Sequence, residues 1–192
     1  MVILNTSHKG GILHLAFSGD GSKIVSIGMD DTFSLQVFQW EQQRTIAFRN
    51  TGRLPIFCIK TDPYDYKKFM TCGYQHIALW NINGNHLTCS NFIHVESEKP
   101  EDEKDIDQEE EIKTNTKSKQ KPEDNIVFMC MDYINHRMGN SVESDVYIGS
   151  NKGTISCYTS DKHIFLVRKA HEGAINCIKV TDIDQYSIRV IT

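Results

Sequence analysis

Leu13-His14-Leu15-Ala16-Phe17-Ser18-Gly19-Asp20-Gly21-Ser22-Lys23-Ile24-Val25-Ser26-Ile27-Gly28 is the stretch that decides how this chain folds. Leu13, Leu15 and Phe17 alternate with His14 and Ala16, the period-2 pattern of a strand with one buried face. Ser18-Gly19-Asp20-Gly21 supplies turn chemistry, and Ile24 to Gly28 reads as a second strand. Asp30-Asp31 then turns the chain, Ser34 to Trp40 gives a third strand, and Arg44 to Arg49 a fourth. Four short antiparallel strands in about 40 residues form one sheet of a propeller.

The unit repeats. Ile56 to Thr61 answers Leu13 to Phe17, Asp62-Pro63-Tyr64-Asp65 answers the first turn, and Phe69 to Gly73 answers Ile24 to Gly28. His76 to Asn81 is the next strand and carries Trp80. A third copy runs through Ile126 to Tyr133, Asp145 to Ser150, Thr154 to Tyr158 and Ile164 to Arg168. A fourth opens at Ala170-His171-Glu172-Gly173-Ala174-Ile175 and reaches its second strand at Thr192. His8-Lys9-Gly10-Gly11-Ile12 and His171-Glu172-Gly173-Ala174-Ile175 are one opening phrase, 163 residues apart, of which 134 remain once 96–124 is set aside. That spacing holds three periods of about 45 residues, the length of a WD-type blade. The expected fold is all-β: about 3.5 WD40-type β-propeller blades, an incomplete propeller. Residues 1–95 hold two blades, 96–124 a disordered acidic insert, and 125–192 the third blade and the start of a fourth. A closed ring takes about 4–8 blades, so the chain reads as a fragment completed by further blades of the same chain or assembly.

Charge separates the insert from the rest. Residues 96–124 hold twelve Asp/Glu and six Lys/Arg, with Ile106 and Ile112 as the large apolar residues. Such a segment buries too little surface to offset its chain entropy. The remaining residues are close to neutral, which carries no nucleic-acid signature. No apolar run approaches the roughly 20 residues of a membrane span, so no membrane partner is expected. The six cysteines, Cys58, Cys72, Cys89, Cys130, Cys157 and Cys177, form no CxxC pair. They read as reduced core residues of a cytoplasmic protein rather than as zinc or redox motifs.

In a WD blade an entry-loop His, a Ser or Thr on the second strand, an Asp in the next turn and a Trp on the third strand form a hydrogen-bonded chain. His8, Ser26 and Asp30 supply this set in the first blade, with Phe38 in the Trp place. Thr71 and Trp80 supply it in the second, which has no entry His and no Asp in its turn. Tyr158 takes the Trp place in the third, and His171 the entry place of the fourth. His76 has no nearby carboxylate in sequence and reads as no site. GxSxG, Walker A, HExxH and EF-hand spacings do not occur. The expectation is a binding protein, not an enzyme, without metal or cofactor. Interaction residues concentrate in loops, and Arg53, Tyr74 and Gln75 are the turn residues singled out for partner contact.

Several phrases resemble the echinoderm microtubule-associated protein-like family. Gly28-Met29-Asp30-Asp31 followed by Val37-Phe38-Gln39-Trp40 is similar to its GLDD…VWDW. Asp62-Pro63-Tyr64 followed by Phe69-Met70-Thr71-Cys72-Gly73-Tyr74-Gln75-His76-Ile77-Ala78-Leu79-Trp80 is similar to NPY…VTCGVKHIKFW. Asn83-Gly84-Asn85-His86-Leu87-Thr88 resembles GNxLT, and Ala170-His171-Glu172-Gly173 the AH-x-G opening of a later blade. The resemblance implies the first of two joined propellers and association with tubulin, microtubules or axonemal proteins. The implied location is the cytoskeleton, extending to the ciliary axoneme. The competing expectation is a general WD40 adaptor or substrate receptor in a multiprotein complex.

Overall fold

The computed structural model describes residues 3–92, 126–138, 141–159, 162–167, 169–184 and 187–192. The acidic insert expected at 96–124 lies outside them. Consecutive strands build each sheet. Blade one is β1 (Ile12–Phe17), β2 (Lys23–Gly28), β3 (Leu35–Gln39) and β4 (Arg44–Arg49), and blade two is β5 (Ile56–Thr61), β6 (Lys68–Gly73), β7 (His76–Asn83) and β8 (His86–Phe92). Blade three is β9 (Phe128–Met138), β10 (Ser141–Ser150), β11 (Ile155–Thr159) and β12 (Lys162–Val167), and β13 (Lys179–Asp184) pairs with β14 (Ser187–Ile191) in a fourth sheet. All paired strands are antiparallel. One 3-10 turn, Trp40–Gln42, follows β3, so the third strand ends a residue short of Trp40.

Blades two and three are buried on both faces, and alternation divides their residues between two neighbours. On β6, Phe69 packs toward blade one with Val25, Ile27, Leu35 and Val37. Met70 and Cys72 pack toward blade three with Phe128, Met131, Val146 and Ile148. On β9, Met131 faces blade two while Cys130 and Ile134 meet Ile175, Ile178 and Val180. At about 25 cal/mol per Å2 of apolar surface removed from water, these three layers are the main source of cohesion between blades.

The face expected to bury Leu13, Leu15 and Phe17 is the exception. The strand forms, but Leu15 is 57% and Phe17 53% exposed. Register explains this. Leu15 lies opposite Ser26 and Phe17 opposite Ile24, on the side of blade one with no blade against it, whereas Ala16 lies opposite Val25 and packs toward blade two. The alternation was the right pattern, but the buried set is the other one. Phe17 meets Trp40 edge-on at 6.5 Å, and the Trp40 indole donates to the Gly21 carbonyl at 2.7 Å.

One carboxylate ties three inner strands together. Asp132 on β9 accepts the Val180 amide of β13 at 3.0 Å. It also pairs with Lys179 at 2.9 Å and with Lys60 of β5 at 3.5 Å. Burial raises its pKa, but the Val180 bond and the two ammoniums outweigh burial and hold it below the ordinary carboxylate value. Both lysines are well exposed, so solvent screens their share and the backbone bond dominates. Asp132→Ala leaves the Val180 amide unpaired, and a loss of about 1–3 kcal/mol is expected from urea unfolding. Because the folded pKa is depressed, this contribution is full above the ordinary carboxylate value and fades as pH falls through the folded one. The difference between wild type and variant should shrink in acid.

Candidate functional site

Antiparallel order places particular loops together. The start of β1, the β2–β3 turn and the link from β4 to β5 share one end of a blade. Backbone bonds knit this end, three within a blade and two, from Gln75 and His171, between successive blades. Met29 N–H donates to Gly11, Tyr74 N–H to Pro55, Gln75 N–H to Ile126, Asn151 N–H to Val127 and His171 N–H to Gly153, at 2.8–3.1 Å. The predicted contact residues Arg53, Tyr74 and Gln75 all lie at this end. Arg53 and Gln75 are exposed and Tyr74 is half-buried.

The first-blade residues His8, Ser26 and Asp30 come together, joined by a member not read from sequence, Ser34. His8 Nε2 lies 2.8 Å from Ser26 Oγ and Nδ1 lies 2.8 Å from Ser34 Oγ. The Ser34 hydroxyl donates to Asp30. Having one proton, it must accept from Nδ1–H, which leaves Nε2 to accept from Ser26. The relay therefore runs Ser26 to His8 to Ser34 to Asp30 and requires a neutral imidazole. Burial lowers the His8 pKa against the opposing field of Asp30. Asp30 also accepts the Thr32 and Ser34 amides, each at 3.1 Å, which fixes the six-residue turn. Gly28 makes room: a Cβ there would stand 2.3 Å from His8 Nδ1 and 2.6 Å from Asp30 Oδ2.

The second blade closes the same kind of chain by another route. The Trp80 indole donates to Thr71 Oγ1 at 2.8 Å, and that hydroxyl pairs with His76 Nε2 at 2.7 Å. His76, passed over in the sequence, stands where an entry-loop His would be sought. The β6–β7 turn has only Tyr74 and Gln75, with Gln75 at φ 47°, so the first residue of β7 already lies beside Thr71. Its signal is a histidine three residues past a strand-ending glycine. Trp80 also stacks on Phe69 at 6.2 Å, with the Arg49 guanidinium 5.4 Å from its ring.

Register equates Ser26, Thr71 and Ile148, since Phe38 lies opposite Ile24, Trp80 opposite Phe69 and Tyr158 opposite Val146. The third blade thus has no hydroxyl at the central position. Ser150 instead holds its turn, accepting the Lys152 and Thr154 amides at 3.2 Å. His171, expected to play the part of His8, is exposed.

The shared end gathers charges scattered along the sequence. Lys9, Arg53, Lys152 and Lys169 are exposed there, against Asp31 and Glu172. A shallow cleft opens among Met29, Asp30, Asp31, Phe33, Arg53 and Pro55. Among the described residues no cluster of three metal-ligating side chains occurs, and no helix is long and apolar enough to cross a membrane. The two buried imidazoles are committed to hydroxyl partners. Among the described residues this end offers a mixed-charge, partly apolar surface with four cations and two anions, and the acidic 96–124 connection between β8 and β9 returns to the same end.

No protein-family model matches the chain. Over 108 residues, 52% of this chain and 13% of the relative, it is 26% identical to Echinoderm microtubule-associated protein-like 1 of Rattus norvegicus. Over 98 residues, 50% of this chain and 10% of the relative, it is 30% identical to Echinoderm microtubule-associated protein-like 4 of Mus musculus. The Xenopus laevis form of the latter is 32% identical over 92 residues, 47% of this chain and 10% of the relative. The matched segment therefore spans about a tenth of these relatives. Among solved structures, Saccharomyces cerevisiae Sqt1 superposes with a TM-score of 0.64 at 13% identity, covering 93% of this chain and 43% of that one. The β-propeller domain of Myceliophteria thermophila Cps50 (Swd1) gives 0.58 at 12%, covering 89% and 48%. The RRP9 WD40 repeats give 0.60 at 11%, covering 92% and 44%. The fold is that of WD40 propeller blades, and the sequence is similar to the echinoderm microtubule-associated protein-like proteins.

Two outcomes test the buried chain. Trp80→Phe removes the donor to Thr71 while keeping an aromatic ring, and should cost about 1–2 kcal/mol in chemical denaturation. Burial depresses His76 to about 4 from an ordinary 6.5. Between those values the unfolded chain binds the proton and the folded chain does not. Stability is therefore full above pH 6.5 and falls as pH drops toward 4. An NMR titration should show the His76 ring neutral at pH 6.

Proposed function

We propose that this chain is a WD-repeat interaction scaffold of the microtubule-associated type, which grips tubulin, microtubules or axonemal proteins with the end carrying Arg53, Tyr74 and Gln75. The observation that supports the partner class is the half-chain similarity to echinoderm microtubule-associated protein-like proteins. The supporting geometry is the collection of Lys9, Arg53, Lys152 and Lys169 at one end of the blades. A microtubule wall is acidic, and these four cations attract it locally, while the acidic 96–124 connection returning to the same end opposes long-range steering. Blade residues in this reading are structural: His8, Ser26, Asp30, Thr71 and Trp80 hold the sheets that display the turns.

A scaffold needs no reactive group, and the committed, neutral imidazoles fit that role better than general-base chemistry. The location that follows is the cytoplasmic cytoskeleton, including the ciliary axoneme. Propellers of this shape can seat a polypeptide segment: Chaetomium thermophilum Sqt1, with a TM-score of 0.61, is described bound to the N-terminus of the ribosomal protein L10.

Co-sedimentation with stabilised microtubules at low and physiological ionic strength tests the proposal. The chain should pellet with the polymer, more strongly at low salt. Replacing Arg53, Tyr74 and Gln75 together with alanine should weaken binding about tenfold, equivalent to ~1.4 kcal/mol, with an unchanged unfolding midpoint. Absence of pelleting at both ionic strengths overturns the microtubule reading, and affinity capture of ligase subunits in its place would establish the adaptor alternative.

A further inference from the structure

Cys58 and Cys72 face each other across β5 and β6 as a directly paired couple in the antiparallel register. Paired residues project to the same side of a sheet with Cα atoms about 4.5–5.5 Å apart. That separation lies within the range of about 4.4–6.8 Å that a disulfide spans. Both thiols sit in the layer between blades two and three, beside Met70, Phe128 and Met131. Cys72 is fully buried, while Cys58 is partly exposed. The Cys58 sulfur lies 3.9 Å from the Ile59 carbonyl, with Cys72 as its cross-strand neighbour.

From this geometry we propose that Cys58 and Cys72 form a peroxide-sensitive dithiol, Cys58 being the thiolate that is oxidised and Cys72 the thiol that resolves it. The environment of Cys58 favours its charged form. The adjoining Cys72 thiol outweighs burial, a backbone bond from Met131 and the Lys60 ammonium add to it, and Asp132 opposes it. The pKa falls to about 7. Cys72 is shifted the other way, first by burial and then by the adjoining Cys58 sulfur. One partner is thus poised to attack and the other is held protonated until needed.

The chemistry balances with hydrogen peroxide as the oxidant. The Cys58 thiolate attacks one peroxide oxygen, the O–O bond breaks, and hydroxide leaves and is protonated to water. The S–O bond formed makes Cys58 a sulfenic acid. The Cys72 sulfur then attacks the Cys58 sulfur, the S–S bond forms, the S–O bond breaks, and the departing hydroxide takes the Cys72 proton as a second water. Two thiols are oxidised and one peroxide is reduced.

Cys130 is the nearby competitor, and its position excludes it as resolver. It lies on the other face of β9, in the layer between blades three and four, with its thiol on the Ile175 carbonyl at 3.2 Å. Reduction by a small dithiol reverses the bond, so the resting state is the free couple.

The test uses the reduced full chain, equimolar hydrogen peroxide, an N-ethylmaleimide quench and peptide mass analysis without reduction. A peptide joining Cys58 to Cys72, two hydrogens lighter than its reduced parts, should form and disappear with dithiothreitol. Cys72→Ser should abolish it and let dimedone label Cys58, whereas Cys130→Ser should leave its yield unchanged. Independent of any variant, iodoacetamide should alkylate wild-type Cys58 about tenfold faster at pH 8 than at pH 6 and level off above, as a thiol titrating near neutrality does. The exposed Cys177 reports reagent supply in the same sample. A bond from Cys58 to Cys130, modification confined to Cys177, or an equal Cys58–Cys72 yield in the urea-unfolded chain overturns the proposal.

Discussion

A sheet pressed between two others has no side left for water. That constraint governs blades two and three of this protein and explains most of its residue choices. The buried residues of β6 and β9 point into one apolar layer or the other, so a polar group placed there must bring its own partner. Thr71 is fully buried and has Trp80 and His76. Asp132 has an amide and two ammoniums. Blade three avoids the problem at the equivalent point by using Ile148. Blade one keeps a four-member relay beneath the chain ahead of β1, with Ser7 N–H donating to Gln36.

The repeat was legible because its signals are local. Alternation at 13–17, turn chemistry at 18–21 and the recurrence of the whole unit need no knowledge of what packs where. The missed features depend on distance in space. Ser34 looked like a strand start, yet it is the link between His8 and Asp30. His76 was judged by its lack of a carboxylate in sequence, yet its partner is a hydroxyl five residues back, brought across by a two-residue turn. His171 shares the phrase of His8 yet lies exposed, because a repeated phrase does not by itself carry burial of the ring with it. Leu15 and Phe17 show the remaining gap: period-2 alternation identifies two faces, and neighbouring blades decide which is wet.

The candidate binding end illustrates the same limit. No run of the sequence is a basic patch, because each lysine or arginine comes from a different loop. Lys9 precedes β1, Arg53 lies between β4 and β5, Lys152 between β10 and β11, and Lys169 between β12 and β13. Antiparallel meanders return every such connection to one end, so these four cations are gathered without any local cluster, together with the acidic connection between β8 and β9. The dithiol has the same origin. Cys58 and Cys72 are too far apart in sequence for a CxxC pattern, and strand pairing alone makes them neighbours.

Asp132 bears on the order in which the protein is made. Pairing within each blade joins consecutive strands, so a sheet can close soon after its residues leave the ribosome. The carboxylate on β9 would then meet Lys60 of a blade already formed behind it, while Val180 and Lys179 are still to be synthesised. For that interval the acid has one cation and no amide. The docking of β13 is the event that satisfies it, making this side chain a latch between chain already folded and chain still emerging.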